Sequence, residues 1–296
     1  MKNTHLEHPE DSILMGDLSV LDWFKSKSTM SVKMDGRPAI VWGIDPATDT
    51  KFVGTKSVFN KKKIKIAHSH EEIDQFYDGQ VAEILHDCFS FLPEYEGIIQ
   101  GDFLGWGQGE DTFTPNTVTY VFPELIQQTI IVAPHTLYAT DGELKDAYTI
   151  MDMVDIGVFD DTEHVKFVQP ECWQVDKDFD KEIVFARMMS QLVDFATESE
   201  AAQLKIALNK CIREGREINP NEFNNSRLIS YWFLIKSIKE DMLKLCRNNG
   251  PKAYIGNRQC GGEGYVRTNE FGMFKLVNRE VFSHANFSVG MSNCSL

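Results

Sequence analysis

Short apolar runs separated by polar turns fill the first half of the chain. Ala39–Ile44 (AIVWGI) is continuous enough for a buried strand, and Gly97–Trp106 (GIIQGDFLGW) is a second run, punctuated by glycines. Thr117–Phe122 (TVTYVF) is rich in β-branched and aromatic residues, and Thr129–Ala133 (TIIVA) follows closely. Runs of this length and composition predict strands. Further on, the period lengthens. Ile183, Val184, Met188, Leu192, Val193 and Phe195 recur at near-helical spacing, followed by Leu204, Ile206, Leu208 and Ile212. Leu228, Trp232, Ile235, Ile238, Met242 and Leu245 continue the pattern up to a stop signal at Asn248–Pro251. These stretches predict a helical block of about 70 residues, spanning about 180–250. Strand patterning returns at Gly264–Thr268 and Met273–Asn278, and the polar turn Asn269–Gly272 between them predicts a hairpin. The chain therefore reads as α+β.

At about 150 residues per domain, 296 residues suit one large domain, 1–296, carrying the helical block as an insert. Hydrophobic residues make up 42% and charged residues 25%, which is globular and excludes disorder, collagen and a coiled-coil rod. No apolar run approaches the ~20 residues of a membrane span, and the N-terminus lacks the apolar core of a signal peptide. Cys88, Cys172, Cys211, Cys246, Cys260 and Cys294 show no CxxC pair, so reduced thiols and a cytoplasmic location are expected. The net charge of -14 argues against a permanent, non-specific grip on nucleic acid. An enzyme that touches nucleic acid briefly is compatible with it. Charge is also uneven: lysines 51, 56, 61, 62, 63 and 65 form a basic stretch without an acid, whereas Asp141–Glu182 carries a local excess of acids.

The string SVKMDGRP at Ser31–Pro38 places Lys33 at the end of a short alternation, with Asp35 and Gly36 in a turn. A lysine nucleophile needs a site that desolvates it or surrounds it with positive charge. A glycine beside it lets a phosphate approach the backbone. K-x-D-G alone occurs by chance in about one protein of this size in fifteen. Three further strings follow in order. GIIQGDFLG puts Asp102 after an apolar strand, GEGYV puts Glu263 between glycines, and FKLV puts Lys275 on the next strand. Together they suit nucleotidyl transfer: one lysine attacks the α-phosphorus, carboxylates hold a divalent metal and the ribose, and a second lysine neutralises phosphate charge.

Lys33-Met34-Asp35-Gly36 resembles motif I of the covalent nucleotidyltransferases, the superfamily of ATP-dependent DNA and RNA ligases and mRNA-capping enzymes. Gly101-Asp102 resembles motif III, where a glutamate is usual. Tyr120-Val121-Phe122 falls where motif IIIa is expected, Glu263-Gly264 resembles motif IV, and Lys275 the first lysine of motif V. Phe52–Asn60, read with the Lys33 string, is also similar to an uncharacterised ligase-like family of tailed bacteriophages. The resemblance spans 30–125 and 260–280. It implies a ligase adenylation fold (ATP-grasp-like) with antiparallel sheets, ATP and Mg2+ as cofactors, and a lysyl–AMP at Lys33. It implies further that Asp35 and Gly36 shape the phosphate loop, that Asp102 meets ribose or metal, and that Phe122 stacks on the base. Glu263 would bind metal, Lys275 the α-phosphate, and Lys56 the nucleotide or the substrate.

Departures accompany the likeness. Pro38 stands where many members have arginine, with Arg37 beside it, and Val277 replaces the second motif V lysine. Only Leu276–Leu296 follows Lys275, too short for the OB-fold that ligases and capping enzymes carry, so none is expected. The expected function is ATP-dependent RNA or DNA ligation. The alternatives are nucleotidyl transfer to another acceptor (a protein, a tRNA or a 5′ end) and a degenerate ligase fold serving as a binding or assembly module.

Other strings point less sharply. His68 and His70 lie in a polar stretch better suited to solvent than to a metal. GWGQG at Gly105–Gly109 lacks the Lys-Ser/Thr and helix start of a phosphate loop and reads as a turn. Lys61, Lys62 and Lys63 could track a phosphate backbone or form a solvated charged surface.

Overall fold

The computed structural model describes residues 6–150 and 159–282. The chain is a mixture of helices and largely antiparallel sheets that divides into two compact units. Of the described residues, the first gathers 31–150, 159–171 and 249–262, and the second gathers 6–30, 172–248 and 263–282.

The first unit is built on a six-stranded sheet. Thr50–Gly54, Ala39–Asp45, Ile98–Gly105, Ile130–Ala139 and Tyr148–Thr149 lie side by side in that order, all antiparallel. Val165–Phe167 adds a parallel pairing to the other end of the Ile130–Ala139 strand. Side chains alternate between the two faces of a strand, and both faces of this sheet are put to use. Ile40, Trp42, Ile99, Val132 and Leu137 bury one face against Ile84, Leu85 and Cys88 of the helix Gly79–Phe91. Val41, Phe52, Ile98 and Tyr138 turn to the opposite face, where they meet Val58, Leu144 and Ala147. On that second face the apolar surface stops at Ile98, and the next positions of the same strand are Gln100 and Asp102.

A smaller antiparallel sheet in the same unit runs Arg258–Cys260, Lys252–Ile255, Thr119–Ile126, Glu110–Phe113. Phe113 and Phe122 meet edge to face across it, with ring centroids 5.7 Å apart.

In the second unit the block between 180 and 250 holds three helices, Asp180–Ser190, Glu198–Arg213 and Ser226–Leu243. Thr197 and Glu200 form a reciprocal capping box at the start of the middle helix. Leu208, Ile212, Leu228, Ile229 and Trp232 bury the shared core, joined by Leu14 from the N-terminal segment. Pro9–Ser12 is a short helix whose acids are buried. Glu10 pairs with Lys239 at 2.6 Å, both side chains fully buried, and Arg279 reaches Asp11 at 2.8 Å and Glu10 at 3.2 Å. Trp232 donates its indole N–H to Asp11 at 3.0 Å. Burying charges is tolerable only where they are paired in this way. Gly264–Asn269 and Gly272–Val277 form a tight hairpin. Among the described residues no helix is long and apolar enough to cross a membrane, and Cys294 lies outside them.

Candidate nucleotide site in the first unit

The strand Thr29–Lys33 ends at Lys33, which is half-buried, and the chain turns through Met34–Pro38 into Ala39–Asp45. Two sets of hydrogen bonds fix the turn. Arg37 N–H donates to the Phe103 carbonyl at 2.9 Å, and Phe103 N–H returns to the Pro38 carbonyl at 3.0 Å. On the other side, Asp35 N–H donates to the Tyr120 hydroxyl at 2.6 Å. The Asp35 carboxylate then accepts from the Asn116 side-chain amide at 2.9 Å and from the backbone N–H groups of Thr117 and Val118 at 2.8 and 2.9 Å. Asp35 is thus a clamp that holds the Asn116–Val118 loop against the turn.

Gly36 has a packing reason to be glycine. A Cβ there would come within 2.6 Å of the Asp102 Cβ and 2.7 Å of the Phe103 carbonyl oxygen. The turn that follows Lys33 therefore lies directly on the strand that carries Asp102. Asp35, Gly36 and Asp102 meet at this turn, and Lys33 ends the strand that leads into it.

Asp102 differs from Asp35 in its surroundings. It is equally buried, at 7% exposure. Among the described residues, however, nothing donates a hydrogen bond to its carboxylate. His135 Nε2 stands 3.6 Å from its Oδ2. That distance is an ion-pair separation, too long for a hydrogen bond. A carboxylate so nearly buried is expected to have partners.

His135 reaches this position through a β-bulge. Gln100 pairs with Thr136, yet the next residue, Gly101, pairs with Pro134, so His135 is left over between them. Its Nδ1 meets Thr136 Oγ1 at 2.7 Å, and its Nε2 meets Gln100 Nε2 at 3.4 Å. Gln100 Oε1 accepts from the Tyr138 hydroxyl at 2.9 Å. Burial pushes Tyr138 up to about 12, so it remains a protonated donor. None of His135, Gln100 and Tyr138 stands out from the sequence as chemistry-bearing. Two signals point to them: polar residues at 100 and 102 on one face of an apolar strand, and Pro134 inside a strand, a position that favours a bulge.

The remaining candidates take different places. Phe122 is buried against Phe113. Lys56 is exposed at the start of a short 3-10 turn capped by Thr55. Of the six-lysine stretch, Lys51 donates to the Leu92 carbonyl at 2.8 Å over the Phe89 ring, and Lys65 donates to the Phe76 carbonyl over Tyr77. Lys61, Lys62 and Lys63 are exposed. Gly105–Gly109 is a turn in which Gly109 N–H bonds the Ile126 carbonyl at 2.8 Å. His68 sits between Asp45 and Glu72, at 2.9 and 3.2 Å. Glu263 and Lys275 belong to the second unit. Lys275 lies opposite Val266 in the hairpin, its N–H bonding the Glu7 carbonyl at 2.9 Å, and Glu263 immediately precedes the first strand. Among the described residues no group of three His, Cys, Asp or Glu side chains is placed to hold a metal ion.

This arrangement occurs in a chain whose family can be stated. The chain belongs to the family of unknown function DUF6267, whose profile matches residues 3–224 and 214–290. No curated protein and no solved structure matches it.

Proposed function

We propose that the protein is an ATP-dependent nucleotidyltransferase of the polynucleotide ligase type, with the adenylation fold its motifs resemble and Lys33 as the nucleophile. One observation carries the reading. The turn after Lys33 packs on a largely buried carboxylate, Asp102, whose side chain keeps a tenth of its surface open. A ligand hydroxyl or a cation is what such a group accepts.

In the first step the deprotonated Lys33 Nζ attacks the α-phosphorus of ATP. A P–N bond forms, the bond to the bridging oxygen breaks, and pyrophosphate leaves with the electron pair while the amine proton passes to solvent. A 5′-phosphate oxygen of the strand then attacks the same phosphorus and breaks the P–N bond, and the lysine regains a proton. A 3′-hydroxyl finally attacks the activated 5′-phosphorus, loses its proton to solvent and displaces AMP. Asp102 holds the sugar or the cation, and Asp35 keeps the turn in place without touching the nucleotide. A bound Mg2+ would neutralise phosphate charge. Such an ion keeps several waters and takes only one or two protein carboxylates, a demand that Asp102 fits.

Incubation with α-labelled ATP and Mg2+ tests the proposal. A covalent, acid-labile protein–AMP adduct should form and should vanish in Lys33→Ala. Absence of label from the parent protein, or equal labelling of the variant, overturns it. Nicked duplexes and single-stranded RNA then identify the acceptor.

A further inference from the structure

We propose that Asp102 and His135 are two ligands of one divalent transition ion of the zinc class, held in tetrahedral geometry. Its remaining positions are open to water and to phosphate oxygens. This deepens the reading of Asp102 given above by naming its cation and adding a second ligand. It rests on that reading only for the phosphates, so the cation is tested without nucleotide.

His135 Nε2 and Asp102 Oδ2 stand 3.6 Å apart, with 18% and 10% of their side chains exposed. A hydrogen bond would draw them closer. Two donors on one ion follow a different rule. Each lies about 2.1 Å from the metal, so an angle of about 110–120° sets them about 3.4–3.6 Å apart. Neighbouring positions of an octahedral Mg2+ at that bond length lie only about 3.0 Å apart. The separation therefore fits a four-coordinate ion and is too wide for Mg2+ on both groups. Donor type points the same way, because imidazole suits zinc and its neighbours whereas Mg2+ takes oxygen. Mg2+ on Asp102 alone has no use for His135.

The setting of the ring suits a ligand. An ion on Nε2 puts the ring proton on Nδ1, where Thr136 Oγ1 lies 2.7 Å away to receive it. Metal-bound histidines are oriented by a contact of this kind at their second nitrogen. The Gln100 amide nitrogen, 3.4 Å from Nε2, is at the outer limit of a hydrogen bond and yields to an ion, while Gln100 Oε1 keeps the Tyr138 hydroxyl at 2.9 Å. Both ligands stand on neighbouring strands, Ile98–Gly105 and Ile130–Ala139, and the bulge brings them together. Without it, alternation from Thr136, the partner of Gln100, would send residue 135 to the opposite face.

Co2+, whose four-coordinate complexes absorb strongly in the visible, is the probe, titrated alone into the full chain after treatment with a chelator. The parent should take up Co2+ stoichiometrically with four-coordinate bands, and Zn2+ should displace it. His135→Ala and Asp102→Asn should each weaken Co2+ binding by at least about tenfold and abolish the bands. His135→Cys replaces one ligand by another, so it should restore binding and add a thiolate-to-cobalt charge-transfer band. The competing imidazole pair is His70 and His86, whose Nδ1 atoms stand 2.7 Å apart, and His86→Ala should leave the spectrum as it is. Circular dichroism and the thermal midpoint establish that each form is folded. The proposal is overturned if the parent binds neither Co2+ nor Zn2+, or if His135→Ala keeps the parent affinity. It is equally overturned if His135→Cys binds no better than His135→Ala, or if His86→Ala abolishes the bands. None of these outcomes bears on the labelling of Lys33, which is read in the parent protein with Mg2+ and α-labelled ATP.

Discussion

Asp35 and Asp102 carry the same functional group at the same burial, 7% exposed, and the structure gives them opposite tasks. Asp35 accepts three hydrogen bonds, two of them from the backbone N–H groups of Thr117 and Val118. Asp35→Ala strips all three at once and should lower stability by about 2–4 kcal/mol, read from urea unfolding. Asp102→Asn removes a buried charge without a donor and should leave the unfolding free energy within about 1 kcal/mol of the parent or above it. The same change should sharply weaken adenylylation. If Asp102→Asn is the more destabilising of the two, the distinction between clamp and ligand-facing acid is wrong. In the sequence Gly36 reads as room for a phosphate, whereas in the structure its missing Cβ is room for Asp102 and Phe103.

Among the elements, what was legible depended on how far the signal was local. Apolar runs at 39–44 and 97–106 lie on the strands Ala39–Asp45 and Ile98–Gly105, because continuous burial leaves a continuous pattern. The periodic stretch from Leu228 to Met242 is a helix with Leu228, Trp232, Ile235, Ile238 and Met242 all buried. The stretch before it misleads: in the helix Asp180–Ser190 the buried side chains are Ile183, Ala186 and Ser190, while Val184, Phe185 and Met188 are exposed. There, Ile183 and two small residues make the packing face, and the other large apolar residues point away from it. The bulge at His135 was out of reach for a different reason, since register belongs to two strands and neither sequence contains it. The lysine stretch divides in the same way. Lys51 and Lys65 serve backbone carbonyls, and only the exposed members can serve a strand of nucleic acid. Replacing Lys61, Lys62 and Lys63 by Ala should leave Lys33 labelling intact, weaken strand joining and reduce its salt slope by up to about three counterions. Joining unchanged at low and high salt would remove that stretch from the substrate path.

At the scale of the whole molecule, charges far apart in sequence close the second unit. Lys236, on the helix Ser226–Leu243, bridges Glu240 of the same helix and Glu280, which follows the hairpin. Burial pushes Glu280 up, but the hydrogen bond and charge of Lys236 outweigh it and hold the carboxyl below its ordinary value of 4.5. A depressed folded-state value means that this contribution is present above pH 4.5 and is lost as pH falls below it. Lys236→Met should therefore cost about 1 kcal/mol at pH 7, discounted for the solvent exposure of both glutamates, and the difference from the parent should shrink by pH 3.5. Lys239→Met should cost more, about 3–5 kcal/mol, because it removes the closer partner of the fully buried Glu10 and leaves it to the longer Arg279 contact. Urea titrations at the two pH values measure both effects, and a Lys236→Met penalty that is constant with pH would rule out the linkage.

The pairing of Glu10 and Asp11 with Arg279 also sets a schedule. These contacts join residues 269 and 268 positions apart. A ribosome adding about 5–20 residues per second takes between about 13 and 54 seconds to travel that distance. For the whole of that time the nascent chain carries two acids and the Trp232 partner site without their final guanidinium, so the N-terminal helix cannot settle fully before Arg279 has been added. Nascent chains arrested anywhere before Arg279 should leave Pro9–Ser12 open to protease, and release of the full-length chain should close it.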